Sequence, residues 1–320
     1  MVTSVSEKPW YPKNFEEFLE WFSTEEACVE YLAKIRWPMG FRCPACSGES
    51  AWRTERKLWH CQSCRHQSSV TAGTVFEDSR KSLRLWFHVM WLMMAHKTGL
   101  SAQGLCDVYE FGSYQTAWVW LHKLRSVMIR QGRERLQGRV EVDEAYIGGK
   151  REGPAGRGAE GKTLVLVAVE GESGQKLGRV RLRCIETITQ EAAESFIKDY
   201  VEPGSNLVTD GLNVYDGLGA LGYAHHRNVV STGGDEALAQ LDHVHLVISL
   251  VKRWLDGTHH GAVKPSHLQA YLNEFAFRFN HRLSSHRGML FYRLVQQAVT
   301  VRPPSTKEFY GTHIQDIGGT

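Results

Sequence analysis

The chain has 320 residues, a net charge of +3, and hydrophobic and charged fractions of 42% and 23%. These are ordinary globular values with room for about two domains and a small module, and they exclude disordered, collagen-like and disulfide-stapled chains. The most apolar run, Trp86 to Met94, is broken by His88 and is too short to span a bilayer. The amino terminus lacks the basic-then-apolar order of a signal peptide, so a reduced, cytoplasmic setting without membrane partners is expected.

In chain order, helices are expected from Asn14 to Phe22 and from Thr24 to Ile35, with Thr24-Glu25-Glu26 as a helix start. Two knuckles follow, Cys43-Pro-Ala-Cys46 and Cys61-Gln-Ser-Cys64. Paired Cys-x-x-Cys motifs one hairpin apart have the ligand spacing of a zinc ribbon, and four thiolates leave no open position, so a structural Zn²⁺ is expected. Ser47 to His60 suits two short strands and a turn, with Trp52 and Trp59 as their apolar mass. Cys28, Cys106 and Cys184 are scattered. Lys34, Arg36, Arg42, Arg53, Arg56, Lys57 and Arg65 oppose only Glu49 and Glu55 here, which favours phosphate contact.

Three helical patterns come next, Leu83 to His96, Ser101 to Tyr109 and Ser113 to Arg130. Ser101 and Ser113 are suitable N-caps and Gly112 marks a turn. Two helices joined this tightly resemble a helix-turn-helix. Lys123, Arg125, Arg130, Arg133, Arg135 and Arg139 are opposed by Glu134 alone. Lys123, Arg125 and Arg130 are therefore expected to contact DNA; the plainer alternative is a helical connector with a basic face.

From Gly138 the period becomes that of strands: Arg139 to Ile147, Thr163 to Val169, Gly178 to Ile185, Asn206 to Thr209, and a short strand near His225 to Val230. A polar glycine-rich loop, GGKREGPAGRGAEGK, follows the first strand. Helices are expected from Gln190 to Tyr200, Leu241 to Leu255 and His267 to Phe279, with a loop-like tail after Arg302. No internal repeat is visible.

Asp143 falls in mid-strand, where a carboxylate is costly unless it meets a metal or partner. Asp210 ends a strand just before Gly211, at a sheet's carboxyl edge. Two such aspartates are a minimal oxygen set for Mg²⁺. On the helix from Leu241, Ser249, Lys252 and Asp256 fall within about 40° of His245, opposite Val247, Leu250, Val251 and Trp254. His245 thus faces outward with Lys252, whereas His243 points to the core.

Two strand aspartates, a third ligand 35 positions after Asp210 and a lysine seven later resemble the transposase and retroviral-integrase group of RNase H-like fold. The runs EVDEAYIGGK, VTDG, LVKRWLDGTHH and HLQAYLNEFAFRFNHR resemble insertion-sequence transposases with an amino-terminal zinc ribbon, the insertion sequence fifteen-ninety-five family, from the ribbon to about residue 295. The resemblance implies an α/β, RNase H-like catalytic domain at 138–300. Before it stand helices and ribbon at 1–78 and a helix-turn-helix-like region at 79–137; a tail at 301–320 follows.

The resemblance further implies a DNA transposase that binds terminal inverted repeats as a homo-oligomer and cuts and transfers strands. Asp143 and Asp210 would hold Mg²⁺ or Mn²⁺, and Lys252 would contact the backbone near the scissile phosphate. His245 stands where the family commonly has Glu or Asn. An imidazole there suits Mn²⁺ better than Mg²⁺, or it orients water or protonates a leaving 3′ oxygen. Glu274, Arg278 and Arg282 match a charged family signature, with Glu274 as an auxiliary acid and Arg278 a phosphate contact or its ion-pair partner. The competing readings are an inactive, transposase-derived DNA-binding regulator and a stand-alone nuclease.

Overall fold

Side-chain caps set the helix starts of the amino-terminal half. Asn14 accepts from the Glu17 N–H at 2.9 Å to open α1 (Phe15–Trp21), and Thr24 accepts from Ala27 at 3.2 Å to open α2 (Glu25–Arg36). Ser82, Ser101 and Ser113 do the same for α3 (Leu83–Ala95), α4 (Ala102–Val108) and α5 (Tyr114–Ser126). The computed structural model describes residues 9–96, 98–130, 132–148, 162–171, 176–228, 241–261, 263–302 and 309. They fall in two compact units, Met1–Ile129 with Leu283–Thr320, and Arg130–Arg282.

In the first unit β1 (Ala51–Arg53), β2 (Trp59–Cys61) and β3 (Gln67–Ser68) form an antiparallel three-stranded ribbon, one strand more than expected. Its register pairs Arg53 with Trp59 and Trp52 with His60. The two tryptophans therefore stand on opposite faces. Trp59 packs on Trp37 at 5.2 Å, while Trp52 stacks on His60 at 4.2 Å and stays 48% exposed. Only Trp59 supplies the apolar mass expected of both. The indoles of Trp86 and Trp120 stack at 3.6 Å and join α3 to α5.

After Arg282 the chain re-enters this unit. Helix α9 (Arg287–Ala298) brings Phe291 among Phe18, Phe22 and Phe87, with ring centroids 5.4–5.6 Å apart. Gly288 lies under the Pro12 carbonyl, where a Cβ would overlap the oxygen. The second compact unit ends at Arg282, short of residue 300, and the buried stripe Leu290, Phe291, Leu294, Val295 and Ala298 falls in the first unit.

The second unit is built on β4 (Arg139–Ile147), β5 (Thr163–Glu170), β6 (Val180–Ile185), β7 (Asn206–Asp210) and β8 (Ala224–Asn228). The sheet order is β6-β5-β4-β7-β8. The first three pair antiparallel, while β4, β7 and β8 run parallel. Alternation along β4 and β5 divides their apolar residues between two cores. Val140, Val142, Leu166 and Ala168 meet α6 (Gln190–Tyr200) and a 3₁₀ helix (Asn213–Leu221). Ala145, Ile147, Val165, Val167 and Val169 meet α7 (Asp242–His259) and α8 (Pro265–Asn280). A mixed sheet covered on both faces meets the α/β expectation. The glycine-rich loop at 149–161, the last two positions of the strand expected to reach Val230, and nearly all the tail after Arg302 lie outside the described residues. No described helix is long and apolar enough to cross a membrane.

Phe291→Ala is expected to cost the first unit about 3–5 kcal/mol, the usual price of an emptied aromatic site. Every tryptophan except Trp254 lies in that unit, so urea unfolding followed by tryptophan fluorescence measures the loss directly.

Candidate active site and zinc centre

The two knuckles repeat one backbone pattern. The Ser47 N–H donates to Cys43 O and the Arg65 N–H to Cys61 O, at 2.9 and 3.0 Å. Cys43 and Cys61 donate in turn to the carbonyls of Gly48 and His66, both at 2.9 Å. Ser47 and Arg65 hold φ near +60° and +59°, turning each knuckle back on itself. The sulfurs of Cys43, Cys46, Cys61 and Cys64 consequently lie within 4.8 Å of one another, with Cys43–Cys64 and Cys46–Cys61 at 3.6 Å. Four sulfurs at tetrahedral Zn–S distances stand about 3.8 Å apart, so the cluster fits a structural zinc ion. The Cys64 N–H, above all other influences, lowers the Cys61 thiol to about 6.

The acidic site follows from strand length. Parallel pairing of β4 with β7 runs to Val142↔Thr209, and the next step sets Asp143 beside Asp210. There β7 stops while β4 continues to Ile147, leaving this edge of β4 open. Carboxylate oxygens of Asp143, Glu144 and Asp210 all lie within 4.8 Å of one another. Asp143 accepts from the Glu144 N–H at 2.8 Å, Asp210 from the Leu212 N–H at 3.1 Å, and Glu144 from the Tyr215 hydroxyl at 3.1 Å. Burial raises the Asp143 carboxyl above the usual carboxylate range; Asp210 adds to this, while the Glu144 N–H and His245 oppose it. Oxygens crowded at this spacing suit a hard divalent cation such as Mg²⁺, whose adjacent ligands stand about 3 Å apart. Sequence reasoning missed Glu144 because strand alternation points it away from Asp143; the signal available was its place in Val-Asp-Glu where the neighbouring strand ends.

Helix α7 is held over this edge by a buried clamp. Its N-cap, Leu241, has no side-chain acceptor, and Glu141 of β4 substitutes by accepting from the Val244 N–H at 2.9 Å. Arg139 pairs with the same carboxylate at 2.5 Å. His243 Nδ1 lies 3.6 Å from Glu141, an ionic spacing beyond hydrogen-bond reach. Gly171, at φ +147°, makes room for that ring, since a Cβ would stand 3.2 Å from Nδ1. Two residues further along both elements, His245 Nε2 lies 3.4 Å from Asp143 Oδ2, with the histidine partly open to solvent. His243 is buried and His245 is not, as the helix phase requires.

The structure therefore brings together Asp143, Asp210 and His245, with Glu144. Lys252 is exposed on α7, alongside exposed Ser249 and Asp256. Glu274 is fully buried, and Arg278 reaches it at 3.3 Å. Arg282 donates to the carbonyls of Leu177, Gly178 and Phe279, which fixes it to the protein backbone. The basic run is broken up by tertiary structure. Arg125 is only 1% exposed, so it does not present a guanidinium to DNA as expected: its side of α5 faces the interior. Arg139 belongs to the clamp, and Arg133 lies over the Tyr200 ring at 4.9 Å. Lys123 is half-buried, and Arg130 is exposed and pairs with Glu134 at 2.6 Å.

A mixed sheet with carboxylates gathered at its central strands, on a chain that also carries a four-thiolate ribbon, defines a DDE transposase with a zinc-ribbon domain. Residues 135–280 match the ISXO2-like transposase domain and residues 23–67 the transposase zinc-ribbon domain. An uncharacterized protein in transposable element ISH50 of Halobacterium salinarum is 28% identical over 279 residues, 80% of this chain and 91% of that protein. The chain thus carries an ISXO2-like transposase domain and a transposase zinc-ribbon domain, both of the insertion sequence fifteen-ninety-five group.

One zinc ion per chain is expected in reduced protein. Cys61→Ser should lower that stoichiometry and unfold the ribbon, since a small metal module owes most of its folding energy to the ion. Metal analysis combined with limited proteolysis of residues 37–70 measures both.

Proposed function

We propose that this transposase binds the terminal inverted repeats of its element and catalyses metal-dependent strand cleavage and transfer. The observation that supports this best is the meeting of Asp143 and Asp210 at the open edge of β4, with His245 brought to Asp143 by α7. Asp143 and Asp210 would hold Mg²⁺ or Mn²⁺, which when bound activates the attacking oxygen and stabilises the departing 3′ oxygen. Asp143, near both Asp210 and His245, would be shared by the groups that hold the ion. His245 completes the site from the α7 side. Lys252, two turns along the same exposed face, reaches toward the phosphate backbone of bound DNA.

Recognition of the repeats is assigned to the first unit and the basic segment after it. Arg42, Arg56 and Arg65 are exposed on the ribbon, and Tyr114, Gln115 and Thr116 are exposed at the start of α5, where a helix-turn-helix meets base edges. Lys123 and Arg130 remain candidates for phosphate contact; Arg125 does not. Two element ends processed together call for a homo-oligomer on DNA.

The test uses purified protein, Mg²⁺ or Mn²⁺, and DNA carrying the repeats that flank the gene. Wild-type protein should cut at the element end. Asp143→Ala, Asp210→Ala and His245→Ala should each reduce cutting to background while folding and repeat binding persist. His245→Glu should cut and shift preference toward Mg²⁺, because a hard oxygen replaces a softer nitrogen. No cutting by wild-type protein that binds the repeats would favour the regulator. Full cutting by folded His245→Ala would remove this residue from the mechanism.

Repeat binding should weaken steeply with salt, by about 0.9 in the log–log slope for each phosphate neutralised. Charge removal at Arg42 and Arg65 should flatten that slope by about two. An unchanged slope in filter binding would place the contacts elsewhere.

A further inference from the structure

The site as proposed sets one imidazole, His245, beside two carboxylates, Asp143 and Asp210. The fold also supplies a third carboxylate. Along β4, Val140 and Val142 are fully buried against α6 and the 3₁₀ helix, and strand alternation puts position 144 on that same face. Packing alone favours another apolar residue there. Glu144 occupies it instead, where β7 has ended and β4 has no strand partner on that edge among the described residues, and its carboxylate approaches both Asp143 and Asp210 to within 4.8 Å. Tyr215, fully buried, donates its hydroxyl to Glu144 Oε2 at 3.1 Å. The stretch that carries Asp210 also carries this phenol, five residues later on the 3₁₀ helix, so one short segment places a ligand and the group that orients another.

We propose that Glu144 is the third carboxylate ligand of the catalytic divalent cation, reaching the site around the end of β7, and that Tyr215 is a positioning residue acting through it. This rests on the assignment of Asp143 and Asp210 to the metal site. Glu144 then adds an oxygen from the β4 side to the site that His245 approaches from α7. Buried phenols oriented toward a ligating carboxylate tune its direction much as outer hydrogen bonds orient ligating histidines.

Mn²⁺ binding to the full-length protein, measured by calorimetry without DNA, tests this apart from activity. Asp143→Ala and Asp210→Ala should abolish binding; retained binding in both would overturn the metal site itself. With those controls lost, Glu144→Gln, which keeps an acceptor for Tyr215, should weaken Mn²⁺ by at least about tenfold. Glu144→Asp, shortened by one methylene, should weaken it too and serves if the glutamine variant misfolds. Tyr215→Phe should lower affinity several-fold in the wild-type background and have no further effect beside Glu144→Gln. Unchanged Mn²⁺ affinity in folded Glu144→Gln and Glu144→Asp would overturn the assignment of Glu144. An effect of Tyr215→Phe that persists beside Glu144→Gln would overturn that of Tyr215.

Discussion

The difference in length between two parallel neighbours governs the second unit. Pairing of β4 with β7 is what places Asp143 level with Asp210, and the early end of β7 is what leaves the space beyond them open. Had β7 continued, its backbone would have filled the volume in which the carboxylates gather. Both flanking cores are apolar, and Asp143, Glu144 and Asp210 gather at the level where β7 ends.

The clamp at Glu141 shows how the same strand also places the helix. Glu141 and Asp143 stand on one side of β4, and the imidazoles of His243 and His245 meet them in order. The inner pair is sealed with Arg139 and the Val244 N–H; the outer pair stands open. A buried carboxylate that satisfies a helix N-terminus and an arginine together leaves little freedom for that helix to slide or turn. The position of His245 is thus fixed from behind, by groups that never meet a substrate.

Local chemistry was legible in the sequence. The knuckles, the serine and threonine caps, the limits of β4 and α6, and the outward phase of His245 all follow from spacing or periodicity within one element. What was not legible depends on a partner element. Trp52 and Trp59 look equivalent until the β1–β2 register sets them on opposite faces. Arg125 reads as one of a basic series until the packing of α5 buries it. Glu144 points away from Asp143 by alternation, and only the length of β7 reunites them. The stripe of α9 has helical spacing, but nothing in its own residues says that its partners are Phe18, Phe22 and Phe87, more than two hundred positions earlier.

That last pairing bears on synthesis and on the fate of the gene. Because α9 completes the core around Phe18 and Phe22, the amino-terminal unit emerges from the ribosome first yet cannot close until the whole catalytic unit has been made. Copies of the element that lose their 3′ end to deletion or frameshift lose more than the last helix: they lose the core of the unit that carries the ribbon. A single late helix thereby ties the integrity of the amino-terminal unit to translation through Ala298.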